Sequence, residues 1–293
     1  MLRVTADGRY QSHELLRQFA AEQLAVKQQA LEEARDQHMA YFAAFLHRQE
    51  PRLRGPEQQD ALQEIDADLD NVRVAWMRAV NRRASEQIKQ AMGALFLYFQ
   101  MRSRLTEGQD GFRAAAALPL SKVDEPLQIR LQLLKTWFDA GVASTPEAAV
   151  RFYRESFERL QPLGTDESMA MPLCVFTWAG GLLGNTAPLQ RFYAENYALH
   201  HRRGNKWGAA WAAYALGTLP SKMYGETPPA DDLADILAYL GESADLLRAL
   251  ENPWAVTYPL HAAGHILLDL KEYKRAREMF RESLQICLSL IHI

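Results

Sequence analysis

The chain has 293 residues, 48% of them hydrophobic and 24% charged, with a formal net charge of −3. That composition is globular and long enough for a large core or an extended array. Its 33 basic and 36 acidic residues form no basic block, which removes the electrostatic case for nucleic acid.

Two cysteines, Cys174 and Cys287, lie far apart, which suits a reducing cytoplasm and argues against a disulfide framework. The first residues are polar, so no signal peptide is expected. The longest apolar run, MGALFLYF from Met92 to Phe99, is too short to span a bilayer.

In chain order, Leu2 and Val4 alternate with polar residues before Asp7-Gly8, the pattern of a strand ending at a hairpin turn. Arg9 and Tyr10 begin the return strand. Leu15, Leu16, Phe19, Ala20 and Leu24 then recur at helical spacing. Beyond this hairpin the chain reads as helix. Helices are expected at roughly 12–25, 28–49, 57–80, 84–101, 105–118, 125–140, 146–161, 168–184, 187–203, 206–220, 230–249, 254–270 and 272–288. Pro51, Pro56, Pro126, Pro146, Pro162, Pro188, Pro220, Pro228, Pro229 and Pro253 fall at or near those boundaries, where proline is tolerated. The short connections favour antiparallel neighbours.

Two segments recur in register. RRGNKWGAAWAAYALG (202–217) aligns with LRALENPWAVTYPLHAAG (247–264), so that Asn205, Trp207 and Gly217 precede Asn252, Trp254 and Gly264 by 47 residues each. AAVRFYRESFERL (148–160) aligns with RAREMFRESLQIC (275–287), matching Ala149, Tyr153, Glu155 and Ser156 to Ala276, Phe280, Glu282 and Ser283. Small residues let helices approach closely, and an aromatic fills the groove beside them. Such recurrence is the signature of a repeat array.

Few constellations point to chemistry. HAAGH puts His261 and His265 one turn apart on one helix face. Ala262 stands where a metalloprotease motif needs Glu, and Asp269 is about 12 Å along the axis from His261. No metal site is assigned, and a polar groove-lining role is preferred. His200 and His201 near a helix end read as charges that complement the helix dipole. Glu64, Asp66, Asp68 and Asp70 lack the glycine and distal glutamate of a calcium loop. They read as the solvated face of a helix whose Ile65, Leu69, Val72 and Trp76 face the core. TWAGGLLGN (177–185) follows no strand, so its glycines read as helix packing rather than a phosphate loop. No catalytic set is assembled by spacing.

The last unit, LHAAGHILLDLKEYKRAREMFRESL, resembles a tetratricopeptide (TPR) repeat. Gly264 stands at the small-residue position of its first helix, and Tyr273, Ala276, Phe280 and Ser283 at the packing positions of its second. Four segments in order, GRYQSHELLRQFAAEQL, ARDQHMAYFAAFLHRQEPRLRGPEQ, IDADLDNVRVAWMRAV and LFLYFQMRSRLTEGQDGFRAAAAL, resemble the region that links the nucleotide-binding core to the helical repeats in bacterial STAND proteins. These are signal-transduction ATPases related to NB-ARC and apoptotic ATPases, often joined to LuxR-type, SARP-type or cyclase effectors.

The resemblance implies an all-α fold: an α-solenoid of TPR-like helix pairs behind a small winged-helix remnant. It divides the chain into that remnant (1–26), a helical linker with the first pairs (27–122), TPR-like repeats (123–287) and an atypical tail (288–293). The tail, LSLIHI, resembles translated sequencing-adapter read-through and is expected to be non-native. SHELL (12–16) resembles the MHD motif, whose histidine reaches the ADP β-phosphate in that family. Carried over, this residue is His13, with Ser12 and Glu14 departing from the motif.

No G-x-x-x-x-G-K-[ST] loop occurs in the chain. The expectation is therefore no cofactor here, with ATP or ADP held by the intact parent. The implied function is a non-catalytic, cytoplasmic sensor and interaction arm controlling an ATPase core absent from this chain. A protein or small-molecule inducer would bind the concave face, without direct nucleic-acid or membrane contact. On that face, aligning Gly217 with Gly264 puts Trp211, Tyr214, Tyr258, His261 and His265 as partner-binding residues with partly exposed rings. The rival readings are a stand-alone TPR adaptor and an all-α enzyme.

Overall fold

The computed structural model describes residues 2–4, 10–12, 14–119, 125–143, 147–177, 186–219 and 230–291. It is an all-α protein preceded by one short hairpin. Strands β1 (Leu2–Val4) and β2 (Tyr10–Ser12) pair antiparallel, with Arg3 opposite Gln11. Helices follow at α1 (Glu14–Val26), α2 (Gln28–Leu53), α3 (Gln58–Ala67), α4 (Leu69–Arg82), α5 (Ser85–Met101), α6 (Leu105–Ala116) and α7 (Glu125–Ala143). The rest are α8 (Glu147–Leu160), α9 (Ala170–Leu173), α10 (Ala187–Arg202), α11 (Lys206–Thr218), α12 (Ala230–Arg248), α13 (Pro253–Asp269) and α14 (Tyr273–Ile291). Two 3₁₀ turns, Gln161–Thr165 and Glu167–Met169, lie between α8 and α9.

Three expected helices differ from the structure. The segment 57–80 is two helices, broken at Asp68, whose φ of −113° and ψ of 14° leave the helical region. Glu64, Asp66 and Asp70 are exposed, as expected of a solvated face, and Asp68 is partly so; two of them also reach neighbouring helices. Tyr98 Oη donates to Asp66 at 2.6 Å, Arg102 pairs with Asp66 at 2.5 Å, and Arg52 pairs with Glu64 at 2.9 Å. Ile65, Leu69, Val72 and Trp76 do face the core. Helix α2 continues past Pro51 to Leu53. Proline removes one N–H, but the buried Gln49 and Leu53 on either side keep the last turn packed. The span 168–184 begins as 3₁₀ turn and a four-residue helix, and 178–185 lies outside the described residues.

Consecutive helices pack on one another, most extensively in the pairs α6–α7, α10–α11, α11–α12, α12–α13 and α13–α14. The result is a helical, repeat-like architecture. The 47-residue recurrence has a structural cause at both ends of the unit. Asn205 caps α11 by accepting from Gly208 N, and Asn252 caps α13 by accepting from Ala255 N, each at 3.0 Å, which satisfies an amide the helix leaves open. At the other end, a Cβ on Gly217 would lie 2.6 Å from Leu240 of α12, and one on Gly264 would lie 2.6 Å from Phe280 of α14. Each unit therefore needs a glycine where its two helices touch.

The joints recur too. Arg83, Ser103, Gly204, Glu251 and Lys271 follow α4, α5, α10, α12 and α13 with φ between 52° and 67°. At each, the next N–H reaches back five residues: Ala84 to Ala79, Arg104 to Phe99, Asn205 to His200, Asn252 to Leu247 and Glu272 to Leu267, at 2.8–3.1 Å. This is the Schellman turn, which pairs carbonyls orphaned at a helix C-terminus.

One contact joins distant parts of the chain. The corner between α2 and α3 packs on the N-terminal ends of α11 and α13. Asn252 Nδ2 donates to the Leu53 carbonyl at 3.1 Å, and Gln58 Nε2 donates to Asn252 Oδ1 at 2.8 Å. Arg54 pairs with Glu50, pairs with Glu167 at 3.1 Å, and lies 5.7 Å over the Trp207 ring. Burial pushes the Glu50 carboxyl up, against the opposing pull of Arg54.

Candidate functional site

The residues expected to bind a partner form one stripe across two helices. Trp207, Trp211 and Tyr214 recur on α11, and Trp254, Tyr258, His261 and His265 on α13, at helical spacing. Their rings meet edge to face. Trp211 lies 5.5 Å from Trp207, 5.5 Å from Tyr214 and 5.3 Å from Tyr258, and Trp254 lies 5.1 Å from Tyr258. Aromatic quadrupoles favour this arrangement.

The stripe is largely core. Trp211 is fully buried and Tyr214 is 6% exposed, which corrects the expectation that their rings are open to a partner. The cause is the packing of α11, where every residue from Trp207 to Thr218 is buried. Among the described residues Trp211 Nε1 has no hydrogen-bond partner, and the Trp211 backbone carbonyl accepts from Cys174 Sγ at 3.4 Å. Tyr258 is partly buried, and burial pushes its phenol up.

His261 is exposed and His265 partly so. Their Nε2 atoms are 3.2 Å apart, and both rings lie edge-on to Phe280 at 5.8 and 5.3 Å. Burial first, and then the neighbouring His265, lower the His261 pKa. Among the described residues, no group of three or more His, Cys, Asp or Glu is arranged to hold a metal. His13 lies outside the described residues.

His200 differs from the dipole-complementing role expected for it. It is 1% exposed; its Nε2 donates to the Gly164 carbonyl at 2.9 Å, and its Nδ1 accepts from Asn205 Nδ2 at 3.2 Å. Burial lowers its pKa, so it is a neutral core group. Its neighbour His201 meets Glu242 at 2.9 Å. A Cβ on Gly208 would strike the His200 ring at 2.3 Å.

Two surface grooves had no counterpart in the sequence reading. One, of 570 Å³, lies between α4, α5 and α6, with Trp76, Met77, Leu95 and Phe99 along it and Arg73 and Glu107 at its rim. Arg73 and Glu107 pair at 2.6 Å, so that rim is internally neutralised. The other, of 420 Å³, runs along α10 beside the Gln161–Thr165 turn, with Arg191, Glu195, Asn196 and Arg202 among Pro188, Phe192 and Leu199 on one wall and Gln161 and Thr165 on the other. Spacing alone did not reveal it, because the opposing wall is a 3₁₀ turn about thirty residues upstream.

No protein-family model, curated protein or solved structure matches this chain. Among the described residues, no helix is long and apolar enough to cross a membrane.

Proposed function

We propose that the chain is the non-catalytic sensor and protein-interaction arm of a STAND-type signal-transduction ATPase or transcriptional regulator, built as a TPR-like solenoid behind a winged-helix remnant. The observation that carries this reading is the repeated unit. Asparagine cap, tryptophan and contact glycine recur after 47 residues, and both copies use the asparagine and the glycine the same way. Stacked pairs of this kind give proteins extended binding surfaces. The order of the N-terminal segments that resemble the STAND linker supports the same assignment.

The arm acts on a two-state partner. It holds the ATPase core closed, and an inducer releases it by binding the open arrangement more tightly than the closed one. A ligand with equal affinity for both would shift nothing. Nucleotide belongs to the upstream core, because this chain has no phosphate loop. There His13 would contribute an imidazole N–H toward a phosphate oxygen.

The test is the gene itself. The reading frame upstream of these codons should encode a G-x-x-x-x-G-K-[ST] ATPase. In the complete product, deleting residues 123–287 should speed ADP release. A frame without an ATPase would return the chain to a stand-alone adaptor. Unchanged ADP release would remove the inhibitory role.

A further inference from the structure

The histidines of the C-terminal half are used in two ways. His200 is buried with both ring nitrogens engaged, by the Gly164 carbonyl and by Asn205, and His201 meets Glu242. His261 and His265 meet each other instead: their Nε2 atoms stand 3.2 Å apart, and among the described residues no other hydrogen bond or ion pair engages either ring. His261 is exposed and His265 partly so. A hydrogen bond between two solvent-facing imidazoles gains little over the water each would otherwise meet. The rings are nevertheless set in place. Gly264 lies between them on α13, and a Cβ there would be 2.6 Å from the Phe280 ring. Phe280 can therefore press onto α13, where it meets both imidazoles edge to face at 5.8 and 5.3 Å. The copy 47 residues earlier has Tyr214 and Thr218 at these two positions, both buried, so repeat packing does not itself call for the pair.

We propose that His261 and His265 chelate a divalent transition-metal ion of the zinc, nickel and copper group through their Nε2 atoms. This goes beyond the reading of the chain as an interaction arm and does not depend on it.

Spacing places the two histidines on one helix face; the structure adds that the same nitrogen of each converges on one point. A zinc ion lies about 2.0–2.1 Å from an imidazole nitrogen, so two nitrogens 3.2 Å apart would subtend about 100° at it, between the square and the tetrahedral angle. The proton balance is simple. As neutral rings sharing a hydrogen bond, one imidazole carries its proton at Nε2. With an ion bound, both Nε2 atoms present lone pairs and each ring carries its proton at Nδ1, a change of tautomer with no net proton lost. The donor type selects the ion. Imidazole suits zinc, nickel and copper, whereas magnesium and calcium require oxygen ligands. No third His, Cys, Asp or Glu joins the pair among the described residues. The chain therefore supplies two of about four ligands, and water or a donor from a bound molecule fills the rest.

The experiment titrates Zn²⁺ into the whole untagged chain near neutral pH, after dialysis against a chelator, and follows the heat by calorimetry. One ion per chain is expected, with a Kd of about 1–100 µM, because two ligands supply about half the binding free energy of a four-ligand site. His261→Ala and His265→Ala should each weaken binding at least about tenfold, since one imidazole is no chelate. His201→Ala and Cys287→Ser, which remove an exposed imidazole and an exposed thiol outside the pair, should leave it unchanged. Saturating Zn²⁺ should raise the melting temperature of the parent and of neither alanine variant. Without metal those variants should melt with the parent, so their lost binding is not lost folding. Cu²⁺ should bind more tightly than Zn²⁺ and show two nitrogen donors by electron paramagnetic resonance, and Mg²⁺ should give no heat. No heat up to about 1 mM Zn²⁺ would overturn the proposal, as would binding that either alanine variant keeps or that Cys287→Ser loses.

Discussion

Gln58 and Asn252 are 194 residues apart in sequence and share a 2.8 Å hydrogen bond in the core. Asn252 is fully buried and uses its side chain three ways: it accepts from Gln58 and from Ala255 N, and donates to the Leu53 carbonyl. One residue therefore caps a repeat helix and ties it to the α2–α3 corner.

Asn252→Ala should consequently cost more than a lost cap. It leaves the Ala255 N–H uncapped and the Leu53 carbonyl with Gln58 Nε2 alone, at 3.2 Å, a loss of about 1–3 kcal/mol in urea unfolding. Hydrogen exchange of amides in residues 53–58 should quicken. A change below about 0.5 kcal/mol would show that the corner is not held by this residue.

Two glycines of similar sequence context should respond in opposite directions. Gly217→Ala brings a methyl within 2.6 Å of Leu240 and 3.1 Å of the Ile236 carbonyl, so it should destabilise by about 1–3 kcal/mol despite better helix propensity. Gly241 on α12 has nothing within 4 Å of such a methyl, so Gly241→Ala should stabilise by about 0.5–1 kcal/mol. Thermal melts of both variants suffice, and equal shifts would refute the packing account.

The stripe residues separate core from surface. Trp211→Ala should cost about 3–5 kcal/mol, because the ring fills space between α11 and α13. His265→Ala, at a partly exposed position, should leave the melting temperature nearly unchanged. A small effect at Trp211 would reopen it as a binding residue.

His200 predicts a pH dependence. Burial holds its folded pKa below the ordinary value of about 6.5. Below that pH the unfolded chain takes up a proton that the folded His200 resists, so stability should fall as pH drops from about 6.5 toward the lowered value. His200→Gln should flatten that slope between about pH 7.5 and 5.5. His261, shifted the same way, remains in both proteins, so the difference isolates His200. Identical slopes would dismiss the linkage.

The repeat was legible because its parts carry residue-type signatures. A cap needs a short polar side chain, and a helix contact needs a glycine, so Asn205, Gly217, Asn252 and Gly264 announced themselves. The burial of Trp211 was not legible. Helix α11 is apolar nearly all round, so periodicity gives no direction to its faces. The Gln58–Asn252 bond was hidden for another reason, since a single long-range polar contact leaves no pattern in either local sequence.

The five Schellman joints have a consequence for how such a chain can grow. After α4, α5, α10, α12 and α13 the exit direction is set by one left-handed residue and one backward hydrogen bond. Only Gly204 is a glycine there, so the geometry does not depend on a single residue type. A helix pair duplicated or deleted at such a joint meets its neighbour at the same angle, without new loop chemistry. The number of pairs is therefore free to drift in evolution, and with it the length of surface the helices present, while every remaining junction keeps its form.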